Sequence, residues 1–335
     1  MTGKRRPTLM DVAEAAGVSR ALVSIVMRDA PGASDATRRR VQEAAQALGY
    51  RPDSRARLLR SSRTRLLGVS FSTSQPFHAE IVDAAYAAAQ VRGYEIALSA
   101  VANGRPESRA VEALLDLGCE ALILISPTLG EQELAGYAAR IPVVSLLRDD
   151  AGESVDSVSS DDHAGIRIAV EHLTSLGHRR IAHVDGGDAV SAAQRRDAFR
   201  QEMLARGLEP WNIPGGPYEE AGMEAGKQLR DKRPTAVVAF NDRCALGVME
   251  SLRAVGLRVP EDVSVLGYDD SQFARLSYVQ LSSISQDAPL LAAAAVERAI
   301  DRLEGSGPPA HLVGTPHLVL RQTTAPPSSK SQPNG

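Results

Sequence analysis

Aromatic residues are few in this sequence: one tryptophan, seven tyrosines and five phenylalanines make up 4% of 335 positions. The interior must therefore be filled by the alanine, leucine and valine that carry the hydrophobic fraction to 43%, an ordinary value for a globular chain. Cysteine is scarcer still. Cys119 and Cys244 stand far apart in apolar surroundings with no neighbouring Cys or His, which excludes a disulfide framework and a zinc-type spacing and reads as two reduced thiols. No apolar run approaches the ~20 residues that cross a bilayer. Lys4, Arg5 and Arg6 are not followed by the apolar stretch of a signal peptide, so the expected compartment is the cytoplasm, with no membrane partner. Catalytic signatures are missing too. There is no phosphate-cradling glycine loop and no GxSxG nucleophile, and the glycines of HVDGGD have the wrong spacing for a dinucleotide fingerprint. The expectation is a protein that is not an enzyme and needs no cofactor and no metal.

What is present is lopsided in charge. Residues 1–63 hold 13 Lys/Arg against 6 Asp/Glu, an excess of seven positive charges. The whole chain is at −3, so the other 272 residues carry −10. A basic head on an acidic body points to a head that meets a polyanion.

The head reads as three short helices. Thr8 with Asp11 resembles a capping box, Val12, Ala13 and Ala16 form a narrow apolar face, and Gly17 supplies a left-handed stop. Ser19 caps a second helix whose inward residues are Leu22, Val23 and Val26. Ser34 and Thr37 open a third, with Val41, Ala44, Ala45 and Leu48 inward and Gly49 closing it. Two helices joined by a short glycine turn make a helix-turn-helix, whose second helix enters the DNA major groove N-terminus first. Ser19, Arg20, Ala21 and Ser24 face outward on this reading.

The run PTLMDVAEAAGVSRALVSIVMRD, the third helix ending in LGY, the segment RPDSRARLL and a following LGV strand together resemble the lactose/galactose-repressor (LacI/GalR) family of bacterial transcription regulators. The resemblance continues to about residue 325. It implies a lambda-repressor-like helix-turn-helix domain over residues 1–52, a hinge helix over 53–63, and a two-lobed effector-binding and dimerisation body over 64–325. By the same resemblance Arg20 and Ala21 sit where base-reading side chains lie, and Ser19, Ser24, Ser34, Thr37 and Tyr50 approach phosphates or bases. Thr8 starts a helix and has the geometry of a phosphate contact; for Thr8 and Ser34 a plain helix cap is the alternative. One of Arg38, Arg39 and Arg40 is a further candidate for phosphate. In the hinge, Leu59 matches a leucine that wedges between base steps of the minor groove, Ala56 the small residue beside it, with Arg55 and Arg57 flanking. Two positions depart from the family. Ile25 stands where a polar or basic reader is common and Leu22 where threonine is usual, so the operator sequence cannot be copied from relatives. Arg28 is a candidate to take over a lost contact.

In the body, short apolar runs (LLGVSF, EIALSAV, ALILIS, IPVVSLL, then RIAHVD, AVVAF, VSVLGY) alternate with amphipathic stretches. Such βαβ alternation, run twice, predicts two α/β lobes with parallel sheets. The first spans about 64–160 plus about 289–320, where a late helix and strands return the chain to it. The second spans about 161–288. The resemblance identifies this as a periplasmic-binding-protein-like fold. Ligands of open α/β sheets bind beyond the carboxyl ends of the strands, and polar residues follow the strands here: Ser72 to His78, Asp161, Ser191, Asn241–Asp242 and Asp269–Asp270. Asp161, Asn241 and Asp242 are equally explained as helix caps. The resemblance adds Arg195 as the effector-binding arginine, and places Phe77, His78, Ser191, Tyr218, Asn241 and Asp269 around the pocket. His78 replaces a commoner aromatic, and Leu147 stands where an acid is frequent.

The tail over 326–335 is Pro/Ser-rich and expected to be disordered; it lacks leucine heptads, so the expected assembly is a homodimer on a near-palindromic double-stranded operator. The resulting expectation is a DNA-binding regulator, a repressor, controlled by a small molecule of the carbohydrate class. A corepressed purine-type regulator is the alternative, and a sugar-binding transport receptor a distant one.

Overall fold

A computed structural model of the chain describes residues 7–27, 30–50, 63–232, 234–305 and 307–328. They belong to two compact units, Met1–Thr64 and Arg65–Gly335.

In the first unit, α1 (Leu9–Ala16), α2 (Arg20–Met27) and α3 (Asp35–Leu48) pack around Val12, Ala16, Val23, Val26, Val41 and Ala45. The start of α1 is fixed reciprocally: Thr8 Oγ1 accepts from the Asp11 backbone N–H at 3.4 Å, and Thr8 N–H donates to Asp11 Oδ2 at 2.6 Å. Gly17 and Gly49 end α1 and α3 at φ 62° and 64°, the left-handed region a side chain resists. Ser19 Oγ accepts from Leu22 N–H and Ser34 Oγ from Thr37 N–H, so both serines cap the helices they precede. Two residues differ from the sequence reading. Leu48 is exposed, because α3 outruns the small core. Ile25 is half-buried, its side chain lying against Gly32 in the α2–α3 connection, and so is not a bare outward position.

The second unit contains two six-stranded sheets. The first has the order β11-β5-β4-β3-β1-β2, built from β1 (Leu66–Ser72), β2 (Glu95–Val101), β3 (Ala121–Ile125), β4 (Val143–Leu146), β5 (Asp156–Ser160) and β11 (His311–Gly314). All its pairings are parallel. Helices α4 (Phe77–Val91), α5 (Glu107–Asp116), α6 (Glu131–Ala138) and α11 (Ala288–Leu303) cover it. The second sheet has the order β12-β10-β9-β8-β6-β7, from β6 (Ile181–Val184), β7 (Trp211–Ile213), β8 (Ala236–Ala239), β9 (Ser264–Asp269), β10 (Ser283–Ser285) and β12 (His317–Val319). Its covering helices are α7 (Asp162–Ser175), α8 (Ala192–Ala205), α9 (Glu219–Lys232) and α10 (Asp242–Ala254). β3 is buried at every position, as a parallel strand covered on both faces must be.

Three strands were not evident from the sequence: β5, β7 and β10. β5 reads DSVSS, yet all five residues are buried. Asp156 makes this possible, since Oδ1 accepts from Arg298 Nε of α11 and from the Ala310 N–H ahead of β11. The expected return of the strands near 312–320 to the first lobe needs correction. β11 does return, whereas β12 pairs antiparallel with β10 at the edge of the second sheet. The chain therefore passes between lobes three times, after β5, after β10 and after β11. Two of these passages are tied together where Asp161 N–H donates to the Gly314 carbonyl at 3.0 Å. Beyond β12, Thr323 is buried with Oγ1 donating to Val265 O, and Ala325 exchanges hydrogen bonds with Ser264 Oγ. Residues 329–335 of the expected disordered tail lie outside the described residues.

Candidate functional site

A cavity of about 590 Å³ opens between the two lobes, within the range of small-molecule sites. The segments after β1, β3 and β4 wall it from one lobe, and those after β6, β7, β8 and β9 from the other. It thus sits at the carboxyl ends of the strands. Eight non-glycine residues among those described have positive φ, and four of them border this cavity: Ser126 (48°), Leu147 (66°), Ser191 (66°) and Asp269 (107°). Each such conformation costs of order 1–3 kcal/mol, and strain of this kind gathers where a site needs it.

Seven of the sequence candidates line the cavity: Phe77, His78, Ser191, Arg195, Tyr218, Asn241 and Asp269. Asp161 does not. Its carboxylate accepts from Ala164 N–H at 2.8 Å and caps α7, the helix-cap alternative. Asn241 does both things, since Oδ1 accepts from Cys244 N–H at 2.8 Å at the start of α10 while the residue borders the cavity. Ser191 precedes α8 with a left-handed backbone and makes no side-chain cap bond.

Arg195 is 5% exposed. Nε donates to Asp162 Oδ1 at 2.7 Å and Nη1 to the Phe240 carbonyl at 2.8 Å. The guanidinium lies 3.6 Å from the Tyr268 ring centroid and 4.9 Å from that of Phe240, close enough for cation–π attraction. Burial disfavours its charge, yet Asp162, Tyr268 and Asp269 more than offset this and hold it protonated. Asp269 accepts from Gln286 Nε2 at 2.7 Å. Burial pushes its carboxyl up against the pull of Arg195, with nearby Asp242 pushing in the same direction. Asp242 stands behind the wall: Ser283 Oγ and Ser271 N–H each donate to it at 2.6 Å, joining α10 to β10 and the loop after β9.

His78 is buried, and Nδ1 accepts from the Ser72 backbone N–H at 3.1 Å. Desolvation lowers its pKa to about 4, so the ring is neutral. Tyr218 is 40% exposed; the Arg243 guanidinium covers its ring at 5.3 Å and donates through Nη1 to the Ser74 carbonyl of the opposite lobe. On another side of the cleft Glu80 accepts from Gln272 N–H at 2.6 Å and pairs with Arg275.

Ser74, within the Ser72 to His78 stretch expected at the strand ends, also lines the cavity; sequence reasoning missed Thr128, Gln286 and the glycine-rich wall Gly186–Gly187 with Gly215–Gly216. The glycines carried a usable signal. A Cβ on Gly186 would meet the Phe240 ring at 2.5 Å, and one on Gly215 the Asp185 carbonyl oxygen at 2.6 Å. Asp185 holds both loops together by accepting from Gly187 and Gly215 N–H groups. Cys119 and Cys244 are buried and free, with burial raising their thiols to about 11 and 12. Among the described residues no group of side chains could hold a metal ion, and no helix is long and apolar enough to cross a membrane.

In the first unit Thr8, Ser19, Arg20, Ala21 and Ser34 are exposed, while Ser24, Thr37 and Tyr50 are half-buried. Arg20 and Ala21 open α2, and Arg39 and Arg40 are exposed on α3. Arg38 instead donates to the Ala30 carbonyl and secures the α2–α3 connection. Arg28, Arg55, Ala56, Arg57 and Leu59 lie outside the described residues.

Known proteins share this pairing of a three-helix head with a two-lobed body. Residues 8–53 match the bacterial regulatory proteins of the lacI family, and residues 170–324 match the periplasmic binding protein-like domain. The transcriptional regulator CelR of Thermobifida fusca is 32% identical over 96% of this chain and 100% of its own. A solved CelR–cellobiose complex is 31% identical over 95% of this chain and all of its own, with a TM-score of 0.69. A LacI transcriptional regulator from a Rhodococcus species is 48% identical over 78% of this chain and 98% of its own, with a TM-score of 0.76. The lac repressor dimer bound to operator and the anti-inducer ONPF is 31% identical over 96% and 100%, with a TM-score of 0.84. Matched from head to body in this way, the chain belongs to the LacI family, DNA-binding transcription regulators that are not enzymes.

Proposed function

We propose that the chain is a repressor whose affinity for operator DNA is set by a carbohydrate bound between the two lobes. It acts as a cytoplasmic homodimer on a near-palindromic site. The observation that carries the effector reading is the cavity itself. It combines aromatic faces, Phe77 and Phe240, with a ring of polar ends on Ser126, His78, Ser191, Arg195, Asp269 and Gln286. Aromatic faces stack on the apolar side of a sugar ring while a few placed polar groups fix its hydroxyls. Arg195 suits this role because Asp162 and the Phe240 carbonyl hold Nε and Nη1 in advance, while Nη2 has no hydrogen-bond partner among the described residues. The complexes of CelR with cellobiose and of the lac repressor with ONPF support a small molecule in the equivalent body.

On the DNA side, Arg20 and Ala21 read base edges, Ser19, Ser24, Ser34, Thr37 and Tyr50 approach phosphates or bases, and Thr8 contacts a backbone phosphate. Arg28 and the hinge residues Arg55, Ala56 and Leu59 are proposed for the same surface on sequence grounds. Phe77 and Phe240 would also accept a flat base, which keeps corepression by a purine as the second reading. Selection of genomic fragments on the purified protein, followed by thermal-shift screening of sugars and nucleobases, tests both. A sugar that stabilises the protein and releases the selected fragment supports the first reading. A nucleobase that tightens binding supports the second, and no bound fragment rejects both.

A further inference from the structure

The first-lobe wall of the cavity holds two hydrogen-bonding groups whose polarity is fixed by partners behind them. His78 Nδ1 accepts from the Ser72 backbone N–H at 3.1 Å, and an accepting ring nitrogen carries no hydrogen. The proton therefore sits on Nε2, and His78 faces a ligand as a donor only. The side chain is 4% exposed and lines the cavity, and among the described residues Nε2 has no hydrogen-bond partner. Thr128 is the converse. Its Oγ1 donates to Glu107 Oε2 at 2.8 Å, and its N–H donates to the same oxygen at 2.7 Å. With its one hydrogen spent on a 7% exposed carboxylate, the Thr128 hydroxyl keeps only lone pairs. His78 follows β1 and Thr128 follows β3, and these strands are neighbours in the sheet, so both groups belong to one wall.

We propose that His78 and Thr128 form a specificity pair of opposite polarity that selects a neutral polyhydroxylated ligand: His78 Nε2–H donates to a ligand oxygen, and Thr128 Oγ1 accepts from a ligand hydroxyl. The inference rests on the reading of the cleft as a sugar site and adds which sugars it takes. Hydroxyls satisfy both partners, because each gives and receives. An oxyanion satisfies only His78 and sets its charge against the Thr128 lone pairs. The other first-lobe residues that line the cavity, Ser72, Ser74, Gln75, Phe77, Ser126 and Leu147, carry no charge. Across the cavity Arg195 is already paired with Asp162, and the lining there includes Asp188.

The test is calorimetric titration of the full-length protein with D-glucose, D-galactose, D-mannose and cellobiose, together with D-glucuronate and D-galacturonate. Neutral sugars are expected to bind, and each uronate at least about tenfold more weakly than its parent hexose. His78→Phe keeps an aromatic ring without the donor, and Thr128→Val keeps the shape without the acceptor. Each is expected to weaken the best neutral sugar by about tenfold, the size of one lost hydrogen bond. Thr128→Ser, which keeps the hydroxyl and its bond to Glu107, restores binding. A monodeoxy analogue lacking the oxygen read by His78 is expected to bind wild type and His78→Phe alike. Wild-type affinity in His78→Phe, equal losses in Thr128→Ser and Thr128→Val, or tighter binding of a uronate than of its parent hexose each overturn the pair. Failure of every sugar to bind the wild type overturns the sugar reading beneath it.

Discussion

Arg195 and Asp162 form a buried pair, joined through Nε and Oδ1 at 2.7 Å with side chains only 6% and 14% exposed. Asp162 belongs to the first turn of α7, which packs on the second lobe beside a passage between lobes, and Arg195 belongs to the first turn of α8. One carboxylate thus links a cavity-lining arginine to a segment that passes between the lobes.

Removing Asp162 should damage more than binding. Asp162→Ala leaves a buried guanidinium without its hydrogen-bonded counter-charge, which costs about 3–5 kcal/mol of stability in comparable cases. Urea unfolding reads this directly. Asp162→Asn keeps one acceptor and is expected to lose less stability while still weakening the effector. An Asp162→Ala protein as stable as wild type would remove the pair from the account.

A second prediction concerns Gly165, also on α7. A Cβ there would fall 2.2 Å from Tyr268 Oη, and Tyr268 is the ring on which Arg195 stacks. Gly165→Ala must displace the ring, at about 1–3 kcal/mol for overpacking, and carry the guanidinium with it. Effector affinity is expected to fall together with stability. Gly256→Ala, where the added Cβ meets nothing within 4 Å but φ is 79°, should cost stability and leave effector affinity unchanged.

The pH response can be isolated at His183 in β6. Its Nδ1 donates to the Val238 carbonyl at 2.9 Å, and complete burial lowers its pKa from 6.5 to about 4. The unfolded chain takes up a proton below 6.5 while the native state refuses it until about 4. The stabilisation from neutral His183 is therefore full above pH 6.5 and is lost as pH falls toward 4, by up to about 3 kcal/mol. Asp242 acts with the opposite slope, since burial raises its carboxyl, so the wild-type curve alone mixes the two. The difference between wild type and His183→Leu removes that overlap. It should shrink by about 3 kcal/mol between pH 7 and pH 4 in urea titrations; a constant difference would contradict the assignment.

In the head, Arg20 and Ile25 should separate cleanly. Arg20 is exposed at the start of α2, so Arg20→Ala should leave folding intact. It should cost about 1–3 kcal/mol of operator binding and relax one base position. Ile25 rests on Gly32, so Ile25→Ala should lower head stability by about 1 kcal/mol without changing the salt slope of DNA binding. Melting curves and salt-dependent binding of the two variants distinguish these outcomes.

The sequence carried the frame of the fold because its signals are local. Thr8, Gly17, Ser19, Ser34 and Gly49 are caps and stops that act within one turn, and the structure has them doing so. Runs such as ALILI announce buried strands by composition. β5 was hidden because DSVSS is polar, and only Arg298, distant in sequence, explains how Asp156 is buried there. β12 was assigned to the wrong sheet because nothing local distinguishes HLVG from HLV. Of the pocket, the residues after long strands were legible. Thr128 and Gln286 were not, since their roles come from Glu107 and Asp269 in other elements. Ile25 read as an exposed position, and its half-burial near Gly32 depends on the α2–α3 connection rather than on its own helix.

Binding of a sugar between the lobes and of operator DNA on the head is expected to be coupled, and coupling in binding free energy is reciprocal. The most direct measurement is titration of the stabilising sugar into the protein with and without saturating operator, alongside operator titration with and without that sugar. The account predicts that operator weakens the sugar by the same factor by which the sugar weakens operator. Equal sugar affinity in the presence and absence of operator would contradict it.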